Sequence, residues 1–214
     1  MGNILTADVM ITSTRPLWWH RFGPDAIPLE KKERTGVAGN DPEEWRRTVL
    51  VTKDGQLFLE PTYAFAAIRD AGRYTKRGHG SLVQPIAATL QVVDARIPTD
   101  RYFPGFPNGH VFDVKTADPP DTDDEARVYL DIRGVRNPST KARNVRYRIA
   151  ASPGWVAAFS LLWDKTVVSR NELESVMHDA GKLIGVGNGR NVGMGRGRVG
   201  KFDVREDWPR DAKT

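Results

Sequence analysis

Cysteine is absent from this 214-residue chain. That excludes a disulfide framework and a thiolate metal site, and it fits a reducing compartment. Long apolar runs are missing too: Trp155 to Trp163, the longest, is strand length, well short of the ~18 residues a membrane helix needs. No basic stretch followed by an apolar one opens the chain, so no secretory signal is read. Gly2 and Thr6 match the loose myristoylation pattern, but Ile4 to Ile11 reads as a buried strand. An acidic surplus is also missing: 32 Lys and Arg stand against 27 Asp and Glu, a net charge of +5, which favours anionic partners. No H-E-x-x-H, G-x-S-x-G or paired acid–base spacing occurs. The acidic run Asp118 to Glu125 lacks the glycine and spacing of an EF-hand. No metal, cofactor or committed enzyme chemistry is expected. No repeat or linker divides the chain, so a single domain over residues 1–214 is expected.

What is present concentrates in GVGNGRNVGMGRGRVG, Gly185 to Gly200: seven glycines with Arg190, Arg196 and Arg198 in sixteen residues. Glycine permits positive φ and close backbone approach, and arginine forks match phosphate oxygens. Two phosphate motifs nearly fit. Gly195 to Gly200 satisfies G-x-G-x-x-G, and Gly195 to Lys201 satisfies G-x-x-x-x-G-K. Both fail on context. A helix precedes and a strand follows, the reverse of what either site requires, and Phe202 stands where the magnesium-binding hydroxyl belongs. Two readings remain: a loop laid along a nucleic-acid backbone, with main-chain N–H groups and arginines on phosphates, or a flexible connection with solvated arginines.

The coarse pattern is strand, helix, strands, strand, helix, strand. Ile4–Thr12 and Trp155–Trp163 read as strands. Asp54-Gly55 between Val49–Val51 and Leu57–Leu59 signals a hairpin. Pro61 opens a helix with Phe65, Ile68 and Ala71 on its apolar face, and Gly78 ends it. A strand is expected at Thr89 to Val93. Residues 23–47 read as a polar excursion and 97–125 as an inserted loop. Val128–Ile132 and Val145–Ile149 bracket a basic turn. Ser169-Arg170-Asn171-Glu172 is a capping box, opening a helix with Leu173, Val176, Met177, Ala180 and Leu183 on one side. Val199–Val204 is the last strand. This order predicts an α+β, ferredoxin-like antiparallel sheet with helices on one face and a long insertion; the RRM-like RNA-recognition fold is one member of that class.

Three more groups carry chemistry. Arg133, Arg136, Lys141, Arg143, Arg146 and Arg148 form a basic finger that could track phosphates, or an ordinary solvated hairpin. Arg73, Lys76, Arg77 and His79 close the first helix, where the dipole favours cations anyway; Tyr74 and His79 could add base stacking. His20, beside Arg21 and two tryptophans, is either a general base toward a ribose 2′-OH or a structural or phosphate-contacting residue.

Several segments resemble a family of small phage-encoded proteins: Arg15-Pro16-Leu17 with His20-Arg21-Phe22, the Ala71-Gly72 helix with its basic tail, and Ala180-Gly181, Gly185-Val186-Gly187, Arg190 and Gly200-Lys201-Phe202. The ferredoxin-like order, the middle insertion and the terminal glycine loop resemble the RAMP superfamily of CRISPR-associated proteins, and in layout the repeating backbone subunit of Cascade-like effector complexes. That resemblance implies an RRM-like palm with a thumb-like insertion over residues 97–148. It implies copies assembled head to tail along a guide RNA, with other effector subunits, a complementary nucleic-acid target and no membrane, in the cytoplasm of a bacterial or phage-infected cell. The implied RNA contacts are Arg15, His20, Arg21, Arg73, Lys76, Arg77, His79, Arg136, Lys141, Arg143, Arg190, Arg196, Arg198 and Lys201. Tyr102, Phe103 and Phe106 would supply a wedge between nucleotides. Some relatives cleave target RNA with a loop aspartate; Asp25 and Asp41 lie in a comparable loop, and no motif singles either out. The alternatives are a metal-independent RAMP endoribonuclease with His20 as base, a phage single-stranded nucleic-acid-binding or annealing protein, and a virion structural protein.

Overall fold

In the computed structural model, residues 2–21, 23, 41–105, 128–136, 139 and 141–206 are described. Leu5, Ala7, Val9 and Ile11 alternate with Thr6, Asp8, Met10 and Thr12, and β1 (Ile4–Ser13) turns the apolar set into the core. β2 (Leu17–Trp18), α1 (Glu44–Thr48) and β3 (Gln56–Leu59) follow. α2 (Pro61–Ala71) has Pro61 in its first turn, where the missing N–H costs nothing, and buries Ala64, Ala67, Ile68 and Ala71. Next come β4 (Lys76–Arg77), β5 (Gly80–Ser81), α3 (Val83–Thr89), β6 (Gln91–Val92) and β7 (Ile97–Tyr102). β8 (Val128–Arg136) and β9 (Arg143–Ala151) form a hairpin, and β10 (Val156–Asp164) follows. The Ser169–Glu172 capping box starts α4 (Arg170–Asp179), which passes into a π turn over Ala180–Ile184. A 3-10 turn over Arg190–Val192 precedes β11 (Gly197–Arg205).

The main sheet runs β11-β1-β10-β7-β3, with β6 also on β10, all antiparallel. The order β1-α2-β6/β7-β10-α4-β11 is the ferredoxin-like α+β arrangement expected. The inward rows of β1 and β10, the latter Ala157, Phe159, Leu161 and Trp163, share one core with Ile68, Leu173, Val176 and Met177 of α2 and α4. The opposite face is left to Asp8, Met10, Thr12, Ala158, Ser160, Arg198, Lys201, Asp203 and Arg205. A second sheet, β2-β9-β8, joins the same core through Leu17, Trp19, Leu130, Tyr147 and Ile149. Trp19, Trp155 and Trp163 are fully buried, and each indole N–H finds a carbonyl: Phe58 O at 2.7 Å, Arg15 O at 3.1 Å and Val168 O at 3.0 Å. Buried donors need such partners.

Six expectations are corrected. α2 ends at Ala71 rather than Gly78; Gly72 caps it, and a Cβ there would lie 2.9 Å from the Leu82–Val83 backbone, so the close passage of that segment requires glycine at this position. The strand expected at Thr89–Val93 is Gln91–Val92, since Thr89 still belongs to α3. Within 23–47, Glu44–Thr48 is helical and buries Trp45; Asp25 lies outside the described residues. Residues 97–102 are a sheet strand, not loop: Ile97, Thr99 and Arg101 point inward in alternation. Phe103 is no exposed wedge but stacks on Trp45 at 5.7 Å, while Phe106 and the run 118–125 lie outside the described residues. Leu183, placed on the apolar side of α4 by a 3.6-residue period, is 41% exposed because the π turn adds a residue and rotates it outward.

Candidate nucleic-acid interface

The glycine loop folds onto its own chain. The Gly185 N–H donates to Ala180 O (2.8 Å), and the Val186 N–H to Gly195 O (3.0 Å), which closes the loop's neck. The Gly195 N–H donates to Pro16 O (2.7 Å) and the Asn188 N–H to Trp18 O (3.0 Å); the Thr14 and Arg15 N–H groups both donate to Arg196 O, at 2.9 and 3.2 Å. Two glycines make this possible. Gly195 has φ +69°, and a Cβ there would overlap the Val186 carbonyl; Gly189 has φ +75°, and its Cβ would lie 2.5 Å from the Trp18 ring. The close approach is to Leu17–Trp18, so the loop is neither a loose connection nor a set of main-chain N–H groups all turned outward.

This docking lines up cations. Arg198, exposed, stands opposite Thr12 on the open sheet face. Arg15 is tied to Arg196 at the next step, and Trp18 follows. Over the Trp18 ring lie the guanidinium carbons of Arg133, 4.8 Å from the centroid, and Arg148, at 5.1 Å. Strand alternation places Tyr129, Asp131 and Arg133 of β8 beside Ala150, Arg148 and Arg146 of β9 on one face. Further out, Arg136 and Arg143 stand opposite each other and exposed, but on the hairpin's other face, in the row of Leu130, Ile132, Tyr147 and Ile149. Seven residues of strand make the hairpin's reach roughly 23 Å. Arg15, Arg136, Arg143 and Arg198 have no ion pair among the described residues.

Arg148 is different. It is 8% exposed, its Nε has no hydrogen-bond partner, and no carboxylate among the described residues comes within 4.0 Å. Burial pushes its pKa down; Asp131 and Glu44 oppose that, and the like charges of Arg146 and Arg133 add to it. Trp18 Nε1, beneath it, is also buried and unpartnered.

Glu44 of α1 engages the neighbouring cation on the same hairpin face. It accepts from Arg146 Nη1 (2.7 Å) and the Tyr147 N–H (3.0 Å), and His20 Nε2 lies 3.1 Å from its Oε1. Burial raises the carboxyl's pKa, but the His20 and Tyr147 hydrogen bonds and the Arg146 charge outweigh this and leave it below the ordinary range. His20 is thereby held against Glu44 through Nε2.

The remaining expected residues divide. Arg21 pairs with Glu60 (3.0 Å) and Lys201 with Asp203 (3.1 Å). At the end of α2, Asp70 collects Arg69 (2.9 Å), Arg190 (3.5 Å) and Arg73 (4.0 Å), three cations on one carboxylate. Lys76 and His79 are exposed on the β4–β5 hairpin, and Lys141 is exposed at φ +61° beside the β8–β9 turn. Arg77 forks onto Glu172 at 2.9 and 2.6 Å and donates to Val167 O at 2.9 Å, pinning the β4–β5 hairpin to α4. Asp41 pairs with Arg47. Among the described residues no cluster of His, Cys, Asp and Glu could hold a metal, and no helix is long and apolar enough to cross a membrane.

The Arg77 fork is the largest influence holding the Glu172 carboxyl down at about 2, against desolvation and with help from Ser169. The folded value lies below the ordinary 4.5, so the stabilisation is complete above pH 4.5 and is lost as the pH falls toward 2. Arg77 is 45% exposed, and solvent screening leaves about 1 kcal/mol of the pair. Glu172→Gln should therefore melt lower than the parent at neutral pH and converge with it near pH 2; a constant gap across that range would contradict this account.

The sequence reading named Arg133, Arg146 and Arg148 as basic but passed over Trp18 and Glu44. Arg146-x-Arg148 between Val145, Tyr147 and Ile149 signals one charged strand face. No local signal shows that Trp18 lies beneath it.

No protein-family model matches the chain, and no curated protein matches it in sequence. Among solved structures it is similar to a chain of the Type III-B Cmr-beta complex bound to cognate target RNA, with TM-score 0.47 and 11% identity, over 94% of this chain and 60% of that one. It is also similar to a chain of a Type IV-B CRISPR complex, with TM-score 0.40 and 13% identity, over 96% and 95%. The chain thus spans 60% of the length of the Cmr-beta chain it matches.

Proposed function

We propose that this chain is a non-catalytic, RNA-binding backbone subunit that assembles head to tail along a guide RNA. It acts as one RRM-like domain, with the β8–β9 hairpin as its thumb. The observation that carries this reading is a group of exposed arginines with no ion pair among the described residues: Arg198 on the open sheet face, Arg15 at the docked loop, and Arg136 and Arg143 at the far end of the hairpin, on the face opposite Arg133 and Arg148. Arginines that are not neutralised within the chain are available to phosphate oxygens. The outward positions of β1, β10 and β11 hold no aromatic ring, which supports contact with the RNA backbone rather than stacking of bases on the sheet. Backbone contact suits a guide whose bases must stay free to pair with a complementary target. Tyr102, 55% exposed at the end of β7, is the ring best placed to act as a wedge.

The test is fluorescence anisotropy of labelled oligouridine and oligodeoxythymidine against rising KCl. RNA is expected to bind more tightly than DNA, with log K falling linearly in log salt by about 0.7 per phosphate contacted. No uptake of RNA at about 0.05 M salt would overturn the reading.

A further inference from the structure

On the outer face of the β8–β9 hairpin, Arg148 is a cation without its counter-charge. It is 8% exposed, has no carboxylate among the described residues within 4.0 Å, and leaves Nε without an acceptor. Its nearest strand neighbour on β8, Asp131, is engaged by Arg133 Nε at 2.8 and 3.2 Å. Arg146, its neighbour along β9, is engaged by Glu44. Trp18 offers a ring face, and its own buried Nε1 donor is also unanswered. Every unmet group here is a donor, and the two carboxylates that act on Arg148 at longer range, Asp131 and Glu44, are already engaged by Arg133 and Arg146. A buried guanidinium normally has a paired acceptor. What is missing is an anion with several acceptor oxygens.

We propose that Arg148, flanked by Arg133 over Trp18, is a phosphate subsite that takes one phosphodiester of the bound RNA. This rests on the RNA-binding reading and names the position where the strand is gripped rather than only attracted. The ligand would bring the contacting acceptor that the fold withholds: Asp131 and Glu44 act on Arg148 only at longer range, and its Nε has no partner until an anion binds. Arg133, 51% exposed, stands as the outer arm of the same grip.

Arg148→Met, close in length but uncharged, separates this from a structural role. Because a buried unpaired charge is replaced by an apolar chain, the free variant should melt at or above the wild type. Its affinity for labelled oligouridine at about 0.1 M KCl should fall roughly fivefold to tenfold, and its salt slope by about 0.7. A variant that melts lower and binds RNA with unchanged affinity and slope would overturn the proposal while leaving RNA binding intact. Arg148→Lys keeps the charge and loses the fork. It should bind with intermediate affinity, and wild-type affinity there would also count against the subsite, including where the Met variant does not fold. If the wild type takes up no RNA, millimolar pyrophosphate decides the matter. A rise in melting temperature that Arg148→Met lacks would uphold a phosphate site without RNA, and no rise in the wild type would remove it.

Discussion

Gly195→Ala should cost the fold about 3 kcal/mol or more and lower the melting temperature by about 10 °C. Two effects add. The residue sits at φ +69°, where a side chain is strained, and its new Cβ would overlap the Val186 carbonyl, which belongs to the backbone and cannot turn aside. The Val186–Gly195 neck would open, and with it the Pro16 and Trp18 hydrogen bonds that dock the loop. Gly200→Ala is the control. It lies in β11, its φ is not in the left-handed region, and the nearest atom to its Cβ would be Met10 Cε at 3.5 Å. That change should stay within about 0.5 kcal/mol. Equal melting temperatures for the two variants would mean that the loop is not packed as described.

Replacing Arg15, Arg136, Arg143 and Arg198 together by alanine should leave stability almost unchanged, since all four are exposed and without ion pairs among the described residues. The effect on RNA should be large. Four lost phosphate contacts at about 0.7 each lower the salt slope by up to roughly 3 and the affinity at about 0.1 M salt by ~10² to 10³. The loss should be the same for every RNA sequence, because phosphate contacts carry no base information. Anisotropy titrations at several salt concentrations, with melting curves alongside, check it. An unchanged slope would move the RNA elsewhere on the surface.

The elements legible in the sequence are those whose signals are local. β1, β10 and β11 alternate or run apolar between turn residues, and α4 announces itself with Ser169 and Glu172. What escaped depends on tertiary contact. Gly72 and Gly78 look alike in sequence, and only the approach of Leu82–Val83 distinguishes the first as a position that must be glycine. Pro98 and Asp100 hide β7, whose inward row includes Arg101, a residue that composition would place outside. The π turn that exposes Leu183 leaves no mark on the 3.6-residue pattern. At the site, the basic residues could be read but their partners could not. Whether an arginine is available depends on a carboxylate brought from elsewhere: Glu172 for Arg77, 95 positions away, Glu44 for Arg146, 102 away, and Asp70 for Arg190, 120 away. The glycine pattern suggests room for a ligand, but Gly187 and Gly189 make room for Leu17 and Trp18 and Gly195 for Val186, contacts that no spacing rule would suggest.

The measurement closest to the central claim is the nucleic-acid content and mass of the protein purified at moderate salt, by absorbance ratio and light scattering. The account predicts a particle of several copies carrying RNA of defined length, which high salt strips to free protein. A monomer with no nucleic acid, which stays a monomer and binds nothing when RNA is added, would contradict it.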